Sequence, residues 1–125
     1  MPATADINRL ATLVVTLIHA AFDSYRVVFE AVTRMAQTRF ESRDWHGAQY
    51  DAGARLQLYR HEIDAVVDEV RALLGDTIGE RALWARARAG YARLVSGRED
   101  AELAETFFNS VTRRLFSTVG IDPRG

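Results

Sequence analysis

The two prolines of this 125-residue chain, Pro2 and Pro123, stand at its extreme ends. Proline removes a backbone hydrogen-bond donor and clashes with the preceding helical turn, so its absence leaves the whole interior free to be helical. Apolar residues recur through that interior at intervals of three and four, the spacing of one face of an amphipathic helix. No stretch shows the period of two that is typical of strands. The sequence therefore predicts an all-α fold.

Breaks in this apolar spacing divide the chain into about four amphipathic helices, expected in an antiparallel, bundle-like arrangement. The first is predicted to begin at an N-cap, Asp6, and to run to about Phe40, which makes it very long. The second is predicted to follow an N-cap at Asp44, to span Trp45–Leu74, and to stop at Gly75.

The third helix is predicted to open at a capping box made by Thr77 and Glu80 and to end at Ser96-Gly97. A fourth helix is predicted over about Asp100–Phe116. On all four helices the residues that carry the three-and-four spacing are expected to face the interior. They include Ile7, Val14, Ile18, Phe22, Tyr25, Val28, Phe29, Leu56, Tyr59, Ile63, Val66, Val67, Val70, Leu74, Leu83, Trp84, Ala87, Tyr91, Leu94, Val95, Leu103, Ala104, Phe107, Phe108, Val111 and Leu115.

The predicted length of the first helix conflicts with a compact domain. About 35 residues at 1.5 Å per residue make a helix about 50 Å long. A compact domain of this size has a radius of gyration of only about 14 Å. The helix must therefore bend, break or project beyond the other three. A projecting apolar stripe needs a partner, which indicates that the chain belongs to something larger.

The composition is that of a globular protein, with 48% apolar and 26% charged residues. Sixteen basic and 17 acidic residues leave a net charge of −1, so no global field favours nucleic acid or an anionic membrane. The chain has no cysteine, which removes disulfides, thiolate nucleophiles and cysteine metal sites. The apolar run from Leu10 to Phe22 is interrupted by polar residues and is too short to span a bilayer. A cytoplasmic protein is expected.

No constellation of residues indicates catalysis or metal binding. The three histidines lack metal-ligand spacing, and the group around His61 and Asp64 is expected to be a solvated helix face. His19 is expected to be a hydrogen-bonded residue at the core boundary rather than a base. The glycines form no phosphate-binding loop, the chain has no lysine, and the kinase catalytic motifs are missing. The sequence predicts no catalytic, cofactor-binding or metal-ligating residue.

Arginine supplies all the positive charge and crowds the third helix at Arg81, Arg86, Arg88 and Arg93. Such a helix can bind phosphates or an acidic partner, or it can simply be a solubilising surface, which is the favoured interpretation. The Phe107-Phe108 pair on the fourth helix is expected in the core. Adjacent helical residues point about 100° apart, so burial of both rings requires packing on two sides.

The fourth helix carries a family resemblance. Residues 104–111 read AETFFNSV and residues 114–116 read RLF. This string resembles a signature of the regulatory region of the isocitrate dehydrogenase kinase/phosphatase family. Weaker matches agree in order and spacing from about Phe22 to Phe116. They are Arg39-Phe40 with Asp44-Trp45, then Arg55 with Leu58-Tyr59, then Tyr91 with Leu94.

The resemblance implies that this chain is the N-terminal part of a helical regulatory domain. Members of the family carry a protein-kinase-like domain that uses ATP and magnesium, respond to AMP as an allosteric effector and form dimers. They phosphorylate and dephosphorylate a serine of isocitrate dehydrogenase, which controls the branch between the citric acid cycle and the glyoxylate bypass. Both activities use the single ATP-binding site of the kinase-like domain.

This chain differs from the family in length, since its members are several times longer. Residues 1–125 are therefore expected to be a single helical segment from which the kinase-like domain is absent. No catalytic or ATP-binding residue carries over, and the segment alone is predicted to be inactive. The signature residues that are candidates for interaction are Asp44, Trp45, Arg55, Tyr59, Phe107, Phe108, Asn109 and Arg114.

Two other functions fit the residues. One is a free-standing interaction or dimerisation module that docks through the first helix and the Phe107/Phe108 face. The other is a nucleic-acid binder that uses the arginines of the third helix, which the near-zero net charge argues against.

Overall fold

The computed structural model describes residues 4–41 and 45–120, with side chains at every position in these ranges except 32, 35–41, 45–52 and 54. These ranges contain four α-helices, one 3₁₀ turn and no strand, which confirms the all-α prediction. The helices are α1 (Thr4–Glu41), α2 (Trp45–Leu74), α3 (Arg81–Val95) and α4 (Ala101–Val119), and the 3₁₀ turn (Gly75–Gly79) joins α2 to α3.

The helices run up, down, up and down around one core. Helices α1 and α2 form an antiparallel hairpin in which the rings of Tyr25 and Tyr59 lie 5.2 Å apart. Helix α4 runs parallel to α2, because Ser110 contacts Tyr59 and, further along both helices, Arg114 contacts Asp64. Helix α3 likewise runs parallel to α1. Sequence neighbours are therefore antiparallel, as predicted for a bundle.

One apolar core fills the space between the four helices. Each helix contributes fully buried side chains, among them Val14, Ile18 and Phe22 from α1 and Leu83 from α3. Burying a side chain of this size stabilises the fold by about 1.5–3 kcal/mol. The buried apolar residues are Ile7, Ala11, Val14, Ile18, Phe22, Tyr25, Ile63, Val66, Val67, Val70, Leu74, Leu83, Ala87, Tyr91, Val95, Ala104, Phe107, Phe108, Val111, Leu115 and Phe116.

The α1–α2 hairpin projects past the end of the bundle. The connection between α3 and α4 is held against α1 by Asp100, whose carboxylate lies 3.2 Å from a guanidinium nitrogen of Arg26. Helix α1 runs on from there to Glu41, and α2 returns from Trp45. The two helix ends therefore extend by roughly 20 Å beyond the point where α1 meets this connection. Projection is thus how this fold accommodates its long first helix.

Two predicted helix starts were wrong. Helix α1 begins at Thr4, so Asp6 lies inside the first turn, where it pairs with Arg9 at 3.8 Å. The capping box at Thr77 does not form, because the Thr77 hydroxyl donates to the Leu74 carbonyl oxygen at 2.6 Å. Residue 77 thus belongs to the 3₁₀ turn, and α3 begins later, after an N-cap at Glu80 that makes no side-chain cap hydrogen bond.

The fourth helix is one turn longer than predicted, ending at Val119 rather than Phe116. It closes on Gly120, whose φ of 73° is the left-handed conformation that glycine adopts without strain. The N-cap predicted at Asp44 lies outside the described residues.

Three residues predicted to face the interior are instead exposed: Val28 (42%), Leu56 (51%) and Leu94 (48%). Val28 and Leu94 lie at the edges of their stripes, and the neighbours Phe29 and Val95 turn inward in their place. Leu56 is on the core-facing side of α2 but lies towards the projecting end of the hairpin. Three-and-four spacing identifies a helix face without showing how far along the helix the core extends.

The N-terminal part of α1, Thr4–Ala31, is long and apolar enough by length and composition to cross a membrane. It is longer than the Leu10–Phe22 run considered from the sequence. A core helix and a signal sequence both pass this test, so one such helix is weak evidence for a span. In this fold α1 buries one side in the bundle and carries Leu13 and Val27 on its exposed side.

Candidate interaction surface

The signature on α4 forms the centre of the core. Phe107 packs on the hairpin, with its ring 5.6 Å from that of Phe22 and 5.8 Å from that of Tyr25. Phe108 turns the other way and packs on α3, with its ring 4.8 Å from that of Tyr91. Both side chains are buried. The adjacent rings are thus core residues packed on two sides, as the sequence predicts, and neither is available as a contact surface.

Two tyrosines beside these rings satisfy their hydroxyl groups internally. The Tyr91 hydroxyl donates to the Ala104 carbonyl oxygen at 3.0 Å, and the Tyr59 hydroxyl lies 2.6 Å from the Ser110 hydroxyl. Burial raises the pKa of both Tyr91 and Tyr25 above the ordinary tyrosine value. Both therefore stay protonated at neutral pH, which makes them packing groups rather than proton acceptors.

The polar half of the signature lies on the outside of the bundle. Arg88 of α3 donates to the Asn109 side-chain oxygen at 2.7 Å, and its guanidinium carbon lies 5.2 Å from the centre of the Phe108 ring. Arg114 donates to Asp64 of α2 at 3.1 Å, with both side chains more than half exposed. An exposed pair of this kind contributes about 0–1 kcal/mol. These contacts position α4 against its two neighbours.

A shallow groove of about 380 Å³ between α2 and α4 is lined by Tyr59, Ile63, Asp64, Ser110 and Arg114, together with Arg60. Two of the residues predicted for interaction meet there, namely Tyr59 and Arg114. Within it Asp64 and Arg114 neutralise each other, since Asp64 accepts from Arg114.

The other predicted residues with described side chains do not line this groove. Asn109 lies on the α3 side of α4, and Arg55 is close enough to Tyr25 for its charge to oppose the rise in the pKa of that tyrosine. Asp44 and the Trp45 side chain lie outside the described residues, although the Trp45 backbone begins α2. The six signature residues whose side chains the structure describes therefore do not converge on one site.

The densest polar cluster of the described structure is one that the sequence did not reveal. Arg98, just before α4, forms a two-pronged contact with Asp100 through hydrogen bonds of 2.9 and 3.0 Å. The same guanidinium lies 2.7 Å from the His19 ring nitrogen and 3.5 Å from Asp23. Arg26 donates to Asp100 at 3.2 Å. This cluster fastens the α3–α4 connection to α1.

His19 is thus a hydrogen-bonded residue at the core boundary, which confirms its prediction from the sequence. The hydrogen bonds from Arg98 lower the pKa of Asp100, and Asp100 in turn raises the pKa of Arg98. The spacing of His19 and Asp23 was visible in the sequence. Their pairing with residues about 75 positions away was not, because it depends on the packing of α3 against α1.

Replacing Asp100 by asparagine is expected to reduce the change in the free energy of unfolding with pH at acidic pH. The folded pKa of Asp100 lies below its unfolded value of about 3.9. The carboxylate therefore stabilises the fold above about pH 4, and this stability is lost as the pH falls through the folded pKa. Urea unfolding between about pH 2 and 7 measures the effect. Asp68→Asn, at an exposed position of α2, is the matched control, and an identical acid slope in both variants would contradict the assignment.

No group of three or more histidine, aspartate or glutamate residues in the described structure could hold a metal ion. His61 is exposed, and Asp64 in its neighbourhood is paired with Arg114. The left-handed glycines of these ranges, Gly75, Gly97 and Gly120, all follow helix ends rather than forming a phosphate-binding loop.

Comparison of this sequence with known proteins identifies its relatives. A family model described as isocitrate dehydrogenase kinase/phosphatase (AceK), regulatory domain, matches residues 15–124. An isocitrate dehydrogenase kinase/phosphatase from Xanthomonas campestris is 43% identical over 97% of this chain. Another from Anaeromyxobacter dehalogenans is 45% identical over 85% of it.

The matched stretch covers 21% of the Xanthomonas protein and 18% of the Anaeromyxobacter protein. The chain thus spans about a fifth of the length of the curated relatives that it matches. The match includes the α4 signature, whose aromatic residues form the centre of the core. The string that identifies the family is therefore also one that the fold requires. The chain belongs to the isocitrate dehydrogenase kinase/phosphatase family, and it matches the regulatory domain of that family.

Proposed function

We propose that this chain is a non-catalytic, regulatory segment of a bifunctional kinase/phosphatase that acts on a serine of isocitrate dehydrogenase. Through that enzyme it would control the branch between the citric acid cycle and the glyoxylate bypass, in the cytoplasm. The observation that carries the proposal is the regulatory-domain match over residues 15–124. Isocitrate dehydrogenase and the rest of the kinase/phosphatase are the proposed partners.

The chemistry of the described residues supports a non-catalytic role. Phosphoryl transfer needs magnesium-binding carboxylates, donors that hold the phosphates and a positioned base. The described residues provide no cluster for a metal ion. The carboxylates Asp64 and Asp100 are engaged with arginines that position helices. These residues do not fit ATP with magnesium, so we assign ATP and magnesium, and with them the AMP effector, to the other four fifths of the longer relatives.

Two assays test this proposal. The purified chain with isocitrate dehydrogenase, ATP and magnesium is expected to transfer no phosphate and to release none, with the full-length Xanthomonas campestris relative as the active control. A chimera of that relative, with its matched stretch replaced by this chain, is expected to keep both activities and their regulation. A version with a glycine-serine linker in place of the stretch is the control and should lose regulation. Turnover by the isolated chain, or normal regulation in the linker version, would refute the proposal.

A free-standing interaction or dimerisation module is the second candidate. It is favoured by the exposed apolar residues of α1, with Leu13, Val27 and Val28 at 43%, 62% and 42% exposure. The Phe107/Phe108 face that this hypothesis also used is buried and must be dropped. Size-exclusion chromatography discriminates between the two functions. A stable dimer that binds no hydrophobic dye favours the module, whereas oligomers of mixed size that bind dye favour a segment lacking its neighbours.

A further inference from the structure

A wide groove lies between α1 and α3 and has a volume of about 710 Å³. Its α3 wall is made by Ala85, Ala89 and Gly90, and arginines at positions 86 and 93 stand along it. The α1 wall is uncharged. Its threonines donate their hydroxyl protons to carbonyl oxygens of α1 itself, at 3.0 and 2.9 Å. The groove thus offers an apolar floor and a positive edge.

The exposed face of α3 continues this surface. Ala82, Ala85, Ala89 and Ala92 are spaced by three, four and three residues and are all exposed, on the side of α3 opposite its buried residues. This is the spacing of the inward positions of a coiled-coil helix. Small side chains at those positions let a second helix approach closely. The face is therefore shaped to pack against another helix.

Arginines flank that face on both sides. Arg86 and Arg93 follow the alanines on the groove side, and Arg81 and Arg88 precede them on the other. Arg88 is engaged with Asn109, but no hydrogen bond or ion pair joins Arg81, Arg86 or Arg93 to the described residues. No acidic residue is among the described residues that line the groove. In a coiled coil, charges at these flanking positions select the partner.

We propose that the alanine face of α3, together with the adjoining edge of the α1–α3 groove that Ala85 and Ala89 line, docks an amphipathic helix whose apolar stripe is flanked by glutamate or aspartate. Its source would be the part of the polypeptide that the longer relatives carry outside the matched stretch, so this inference rests on the proposed function. A second copy of the chain does not fit, because two α3 helices placed face to face would oppose arginine to arginine. This surface of α3 and the groove edge therefore hold the regulatory segment against the rest of its own protein.

A designed helix tests the chemistry of the occupant. The probe is a 28-residue peptide with an alanine-leucine stripe flanked by glutamates, and its control carries glutamines in their place. The chain is expected to bind the glutamate peptide, measured by fluorescence anisotropy, and to lose affinity as salt is raised. The double variant R86Q/R93Q should weaken binding by about three- to tenfold. The variant R71Q/R113Q changes the net charge equally at exposed positions away from the groove and should bind like the parent.

Equal affinity for the two peptides, no binding, or equal losses in the two double variants would overturn the proposed chemistry.

The source is tested with helical peptides that tile the whole Xanthomonas campestris relative and, separately, isocitrate dehydrogenase. Acidic peptides from outside the matched stretch of the relative are expected to bind in the same arginine-dependent way. Binding only by isocitrate dehydrogenase peptides, or self-association that R86Q/R93Q abolishes, would overturn the proposed source. These measurements use no enzyme activity, so their failure is distinct from failure of the chimera.

Discussion

Aspartate in place of Ile18 is expected to leave the chain without a stable fold. Ile18 is fully buried at the centre of α1, one turn from both Val14 and Phe22, which are also fully buried. An aspartate there would be removed from water with no cation to pair with. Burying such a group costs about 5 kcal/mol or more. A domain of this size has a total stability of only about 5–15 kcal/mol.

Near-ultraviolet circular dichroism of the aromatic residues and a thermal melt measure this loss directly. Leu13→Asp is the matched control, because it makes the same change on the exposed side of the same helix. It should cost about 1 kcal/mol or less. A cooperative melt of Ile18→Asp near the parent temperature would show that the core face of α1 has been misidentified. Equal collapse of both variants would show that the outer face is buried as well.

Phe107→Ala is expected to destabilise the fold by about 3–5 kcal/mol, because it empties the space at the junction of α1, α2 and α4. The ring is fully buried and lies within about 6 Å, centre to centre, of those of Phe22, Tyr25 and Tyr59. Neighbours held on two other helices, α1 and α2, cannot readily collapse into the vacated space. The expected shift in melting temperature is roughly 10–20 °C.

Urea unfolding followed by far-ultraviolet circular dichroism gives the free energy of unfolding for this variant. Leu94→Ala removes a comparable apolar side chain that is half exposed, and it should cost about 0.5 kcal/mol. A loss for Phe107→Ala as small as that of the control would assign the ring to a contact surface instead of the core.

The helices and the core face were predictable because they depend on local spacing. Residues such as Ile18, Tyr91 and Phe107 recur at three and four, and the structure buries all of them. The ends of helices were less predictable, since short-range hydrogen bonds compete there. The Thr77 hydroxyl could have capped α3, but it bonds to Leu74 and extends the 3₁₀ turn instead.

The polar features were predictable only as single residues. The sequence shows Arg98 and His19 separately, and only the parallel packing of α3 on α1 brings them within 2.7 Å. The crowding of arginines on α3 was also visible, and it favoured a solubilising surface. The structure adds that Arg86 and Arg93 lie along a groove and that alanines lie between the arginine rows. The prediction of function depended on the family resemblance of the α4 string. That string is mostly buried and performs no chemistry of its own, so its residues alone indicate no function.

The up-down-up-down order of the bundle has a consequence for how quickly this segment acquires its structure. Most native contacts lie within the long helices and so join residues that are close in sequence, although α3 packs on α1 and α4 packs on α2. Helical bundles of such low contact order fold in microseconds to milliseconds. A ribosome adds only about 5–20 residues per second. In a protein as long as the relatives, the segment would therefore complete its fold well before later parts of the chain are synthesised. Until those later parts have been synthesised, the apolar outer side of α1 would remain exposed and could bind chaperones.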